Sequence, residues 1–337
     1  VAPVTRHAGR LRRVPCLPLL FALLVVGFAV ALKAGVLPLS MADVVAALRG
    51  AEASPSSLAV VTKVRLPRAL AAALVGAGLG ASGAAFQAVL RNPLADPYIL
   101  GVSGGAGLGA VIAIAVGWRQ PATLPLAAFA GGLAALAVVY LVAKAQRSSS
   151  STLILSGVMV GSLASALLLF VLWTLPGDRT RAAVFWLAGD LSSGGAAGLP
   201  VAGLWSAAAF LGLWCRARAL DLLTQGEEVA SDLGLDVARA RFWVFFAAGA
   251  LTASTVALAG LVGFVGLVVP HVVRLLWGPS HSRLLPASAL LGAAFLLFAD
   301  AGARTVLAPA ELPVGVVTAF LGAPAFLFLL RRRGYPA

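Results

Sequence analysis

The sequence predicts an all-α integral membrane protein of ten transmembrane helices, on three observations. Of its 337 residues, 61% are hydrophobic and 11% charged, with a mean hydropathy of +0.99. A soluble surface needs about a quarter charged residues. Apolar runs recur at the length of a bilayer crossing, roughly 20 residues. The basic residues stand in small groups between those runs, where positive-inside topology explains them better than a nucleic-acid partner does. The 37 glycines, with abundant Ala, Ser and Thr, supply the small faces through which helices approach one another in lipid.

Cut at charges and at Pro/Gly punctuation, the runs fall at about 15–37, 66–90, 97–117, 122–144, 152–174, 198–215, 241–261, 262–277, 284–306 and 312–330. The first follows Arg6, Arg10, Arg12 and Arg13, a pattern shared with cleavable signal peptides. It is expected to be a retained span, because more membrane sequence and no soluble domain follows it. With the N-terminus inside, sixteen of the 25 Lys and Arg residues face inward. The outward ones are Lys33, Arg49, Lys63, Arg65, Arg68, Arg119, Arg179, Arg181 and Arg304. This bias places both termini in the cytoplasm, and residues 1–337 are expected to form one transmembrane domain. Cys16 and Cys215 fall at inner span ends, where a disulfide is not expected, and their spacing offers no metal site.

Three connections exceed simple turns. Residues 38–62 and 175–195 lie outside, each with room for a short surface helix, and 216–240 lies inside as the most charged stretch. The inner loop reads, over about 221–238, as two short helices broken at Gly234, with Gly226 permitting the entry turn. Val229, Leu233 and Leu235 offer apolar contacts, while Glu227, Glu228 and Asp232 sit where a helix N-terminus favours negative charge. The composition alone fits a solvated loop equally well. No Gly-x-x-x-x-Gly-Lys-Ser/Thr loop occurs, so ATP-driven work would have to be imported through a docking surface. Spans two to five and seven to ten have opposite orientations, as inverted repeats require, with a faint echo between Gly76–Gly83 and Gly249–Gly260.

Two other function classes fit the sequence less well. An intramembrane serine protease would use Gly80-Ala81-Ser82-Gly83 or Gly101-Val102-Ser103-Gly104 with His271, but nothing specifies the base and oxyanion geometry that a nucleophilic serine needs. An ion-coupled transporter buries acidic groups at mid-membrane. All twelve acidic residues here fall in loops or at span ends.

Several blocks in order carry a family resemblance. They are Arg65-Leu66-Pro67-Arg68, the stretch from Gln87 to Pro97, Leu100 to Gly107, Gly226-Glu227-Glu228, Gly263 to His271, and Glu311 to Gly315. By these blocks the chain resembles, from about Pro38 to Arg331, the permease family that imports iron-siderophores, haem and vitamin B12. The resemblance implies the type II ABC importer permease architecture in the bacterial inner membrane. It further implies a homodimer with two cytoplasmic ATPase subunits and a periplasmic substrate-binding protein, with no catalytic residue or permanent cofactor of its own, and ATP bound on the partner. Carried over by position, Gly226, Glu227, Glu228, Leu233 and Gly234 match the ATPase-coupling helices. Arg65, Arg68 and Arg304 match the arginines that dock the binding protein, although Asp300 stands at i,i+4 to Arg304. Ser150 and Ser151 match the cytoplasmic gate, and the Pro270-His271 pair matches a structural element. Arg179 and Arg181 are expected on the translocation path. With Trp173, Phe185 and Trp186 nearby, they favour haem as the transported substrate over a siderophore or cobalamin, because cations attract propionates.

Overall fold

The structure, a computed structural model, describes residues 16–50, 54–118, 122–145, 150–192 and 195–332. The expectations for Arg6, Arg10, Arg12, Arg13, Arg119, Arg147 and Arg333 lie outside the described residues. The described chain is helical throughout: α1 Cys16–Lys33, α2 Met41–Arg49, α3 Pro55–Val89, α4 Val102–Val116, α5 Thr123–Ala145, α6 Ser150–Thr174, α7 Gly177–Leu187, α8 Gly195–Cys215, α9 Ala217–Gln225, α10 Glu227–Asp232, α11 Val237–Ala259, α12 Val265–Trp277, α13 His281–Ala303 and α14 Val314–Arg332. Seven of these, α1, α3, α5, α6, α8, α11 and α13, are long and apolar enough to cross a membrane. The shorter apolar helices α4, α12 and α14 stand where spans three, eight and ten were expected. A crossing there would be completed by irregular chain, such as the 3₁₀ turn Pro97–Leu100 before α4, which a bilayer tolerates only inside protein.

The second span begins earlier than the sequence indicated. Leu66-Pro67 reads as a helix start because Pro67 lacks the N–H that would bond Lys63. Instead the chain widens into a π turn over Val60–Arg65, with the Leu66 N–H reaching back to Val61 O, and the helix runs unbroken from Pro55. Short surface helices occur where they were expected: α2, capped at Ser40 by a reciprocal Ser40–Asp43 box, and α7.

Helices α3, α11 and α13 form the centre, with 78%, 72% and 67% of their spanning windows buried, against 11% for α8 and 17% for α6. The rim helices are left to lipid or to a further protein surface. Contacts at the centre depend on absent side chains. A Cβ at Gly83 of α3 would overlap the carbonyl oxygen of Gly266 in α12, and one at Gly76 the carbonyl of Gly292 in α13. Gly249 faces Leu136 of α5 instead, so the two glycine stretches that echo each other serve different contacts. Gly83→Ala is expected to destabilise the fold by about 1–3 kcal/mol through overpacking against backbone, lowering the thermal midpoint in detergent. Gly198→Ala, where a Cβ meets nothing within 4 Å, is the control.

Candidate functional sites at the two ends of the bundle

The inner loop folds as two helices, but the break differs from the expected one. It lies at Gly226 (φ 115°), between α9 and α10, while Gly234 (φ 83°) ends α10 and leads into α11. The physical reason is local: two glycines occupy backbone regions costly to other residues, and the first of them falls between two helix-forming runs. On α10, Glu227 pairs with Arg241 of α11, whose side chain is buried. Glu228 is exposed and Ala230 is buried. Val229 and Leu233, four residues apart on one face, are 46% and 64% exposed. Large apolar side chains turned outward beside acidic groups form an unpartnered contact face. The same end gathers Ser150, whose hydroxyl donates to Val89 O at 3.2 Å. Ser151 is exposed, in a groove along α6 with Thr152, Leu155, Ser156 and Met159. Gln87 joins the end of α3 to α12, donating to Leu267 O at 3.3 Å and accepting from Arg274 at 2.9 Å.

At the other end, Arg65, Arg68 and Arg304 come together, buried rather than exposed. All three are buried, at 3%, 8% and 4% exposure. The Arg65 guanidinium donates to Leu32 O, Lys33 O and Leu37 O at 2.9, 2.7 and 2.5 Å. That of Arg304 donates to Ala31 O and Ala34 O at 2.9 and 3.0 Å. Those of Ala31, Leu32 and Lys33 belong to the last turn of α1, where helices leave acceptors unpaired and favour positive charge, and those of Ala34 and Leu37 to the chain just after it. Arg68 bonds Asp300 at 2.9 Å and Glu311 at 2.7 Å, and Arg304 pairs with Asp300 at 3.0 Å. These guanidinium groups are thus turned into the chain rather than left exposed as expected, Arg65 and Arg304 on backbone carbonyls and Arg68 and Arg304 on carboxylates. Among the described residues expected to face outward, Lys33, Arg49, Lys63 and Arg181 stay exposed, and the Glu311 side chain is 46% exposed. Asp300 and Glu311 as partners of Arg68 had no local signal, since they lie 232 and 243 residues away.

The expected path residues separate. Arg179 turns inward and donates to Ala115 O at 2.7 Å, closing the C-terminus of α4. Arg181 on α7 stays exposed, with Phe185 one turn on and 56% exposed, and Trp173 at the end of α6 is 89% exposed. Trp186 is buried. The serines of the two Gly-x-Ser-Gly stretches bond backbone, Ser82 to Leu79 O and Ser103 to Tyr98 O, and His271 packs edge-on to Phe326. No group of three or more His, Cys, Asp or Glu that could hold a metal occurs among the described residues.

Comparison with known proteins is consistent with this arrangement. The model of the FecCD transport family matches residues 23–332. A cobalamin import system permease protein of Halobacterium salinarum is 46% identical over 279 residues, covering 81% of this chain and 74% of that one. An Fe(3+)-citrate import system permease protein of Bacillus subtilis is 40% identical over 273 residues, covering 81% and 82%. A metal-chelate type ABC transporter solved in an inward-facing conformation superposes with a TM-score of 0.85 at 34% identity, covering 94% of this chain and 99% of that one.

Proposed function

Because the chain belongs to the FecCD transport family, we propose that it works as one of two identical permease subunits, with two ATPase subunits inside and a periplasmic binding protein outside. At the coarser level it is a multi-pass membrane permease subunit of an ABC importer, in a family that carries iron chelates or vitamin B12. The observation that carries the finer reading is α10, which turns Val229 and Leu233 outward at the inner end next to Glu228. A helix so short and so apolar on its outer face is suited to a cleft on a nucleotide-hydrolysing partner. Gly226 and Gly234 set its angle, and the Glu227–Arg241 pair anchors it to α11. Ser150 and Ser151 would close the path at this end. At the outer end, the arginine cluster shapes a surface whose free cations, Lys33, Arg49 and Lys63, would meet an acidic binding protein. The test is uptake into proteoliposomes of the complex reconstituted in bacterial inner-membrane lipid. It should survive collapse of ion gradients and stop on ATP depletion, and the opposite pattern would sink the reading.

For the cargo, we propose haem, on Arg181 with the exposed Trp173 and Phe185. Arg179 no longer supports this, being spent on α4. Cobalamin is the second reading, favoured by the 46% identical relative named for it. Arg181→Ala is expected to lower haem uptake about tenfold at low salt by removing a steering cation, with binding-protein association retained. Unchanged haem uptake, or transport of cobalamin or ferric citrate in its place, would overturn the haem assignment and leave the importer reading standing.

A further inference from the structure

The start of α13 is capped by a residue of another helix. Its N-cap, Ser280, makes no side-chain capping bond. The first-turn N–H of His281 donates instead to Asp221 Oδ1 of α9 at 2.8 Å. The His281 imidazole Nδ1 lies 2.6 Å from the same oxygen, and Ser280 Oγ is 3.5 Å from the other. A carboxylate at a helix N-terminus is favoured by the orphan N–H groups and by the dipole. Burial raises the Asp221 carboxyl, but hydrogen bonds from His281 and Ser280 outweigh this and hold it below the usual carboxylate range.

A second grip falls on the same turn. Pro286 sits inside α13 and has no N–H, so the Ser282 carbonyl four residues earlier lacks its helical partner. That carbonyl accepts from Trp214 Nε1 at 3.1 Å, and Trp214 is the last residue but one of α8, three residues before α9 begins. The His281 ring is 2% exposed, and its Nε2 finds no hydrogen-bond partner, so Asp221 alone fixes its orientation by hydrogen bonding. At the far end of α13, Asp300 is locked between Arg68 and Arg304. The helix has 23 residues, about 34 Å at 1.5 Å each, which is about the thickness of a bilayer core.

We propose that Asp221 and His281 are positioning residues that tie the inner coupling segment to α13, so that α13 conveys movement between the ATPase side and the arginine cluster at the outer end. The proposal rests on the importer reading above and adds a route for its coupling. Asp221 and Trp214 lie in the segment leading to α10, and both grip one turn of one central helix. A displacement of α9 therefore pulls on α13 directly, through hydrogen bonds at one turn as well as through the packing of Leu220 and Leu284 in one core cluster.

The test measures substrate taken up per ATP hydrolysed, in proteoliposomes containing the permease, its ATPase and its binding protein. Asp221→Ala is expected to lower that ratio about tenfold, within the ordinary range of coupling between sites, while the ATPase still co-purifies. Asp221→Asn keeps an oxygen for the His281 N–H and should lower the ratio less. Trp214→Phe removes the second grip without touching Asp221 and should act in the same direction, which keeps the test informative if Asp221→Ala does not fold. Wild-type ratios in Asp221→Asn and Trp214→Phe, or uptake and hydrolysis falling in proportion, would overturn the proposal. Failure of the wild-type complex to transport on ATP would instead overturn the importer reading.

Discussion

Asp300→Ala is expected to cost about 3–5 kcal/mol of stability, because it strands buried Arg304 and takes one of two carboxylates from buried Arg68. The Asp300 carboxylate is fully buried, 2.9 Å from Arg68 Nε and 3.0 Å from Arg304 Nε. Glu311 then remains as the carboxylate on Arg68 and is itself 46% exposed. Arg304 would keep its bonds to Ala31 O and Ala34 O but would lose its paired carboxylate. The expected readout is a large fall in monodisperse protein extracted from the membrane, with a lowered thermal midpoint for what remains. Asp300→Asn keeps acceptors and loses charge, so it should fall between the variant and the wild type. An Asp300→Ala protein that melts like the wild type would show that the cluster contributes little.

That cluster also marks where the sequence stopped being legible. Span positions were readable because lipid imposes them: apolar runs at 122–144 and 152–174 became Thr123–Ala145 and Ser150–Thr174 with little change. The surface helices α2 and α7 followed from polar stretches too long for turns. Arg65, Arg68 and Arg304 share one end of the bundle, as the sequence led one to expect, but they are buried there rather than exposed. Three cations at or near the ends of apolar runs read as solvated, and only the fold brings the carbonyls at and after the end of α1, and Asp300, to them. The π turn over Val60–Arg65 adds to this, since it shifts the helical register just where Arg65 meets α1. A consequence follows for experiment. Reversing these charges would disrupt the fold, so loss of binding-protein association in such a variant would not report docking.

The inner loop was legible in composition and not in hinge position. Glu227-Glu228 and the two glycines signalled helix ends, yet the helices divide at Gly226 and finish at Gly234. Glycine marks a place for a turn without saying which turn is taken. The partner of Glu227, Arg241, is fourteen residues on and becomes its neighbour only because α11 runs back past α10. The partner of Arg179 was not legible for a similar reason, since its acceptor at Ala115 exists only once α4 ends beside α7.

Val229→Asp combined with Leu233→Asp is expected to weaken ATPase association about a hundredfold or more, and with it to abolish ATP-dependent uptake. Apolar anchors at the centre of an interface commonly cost about 2 kcal/mol or more each when lost, and a carboxylate in their place must also be desolvated. Both side chains are already outside the core, at 46% and 64% exposure, so the variant should fold and extract normally. Ser231, exposed on the same short helix, lies two residues from each and therefore on a different face. Ser231→Asp adds the same type of charge and should leave association near the wild-type level. Co-purification of the ATPase in detergent separates the two cases, and thermal stability of the permease alone checks that the fold is intact. If the double variant binds the ATPase as the wild type does, α10 is not the contact face and coupling must be sought elsewhere on the inner surface.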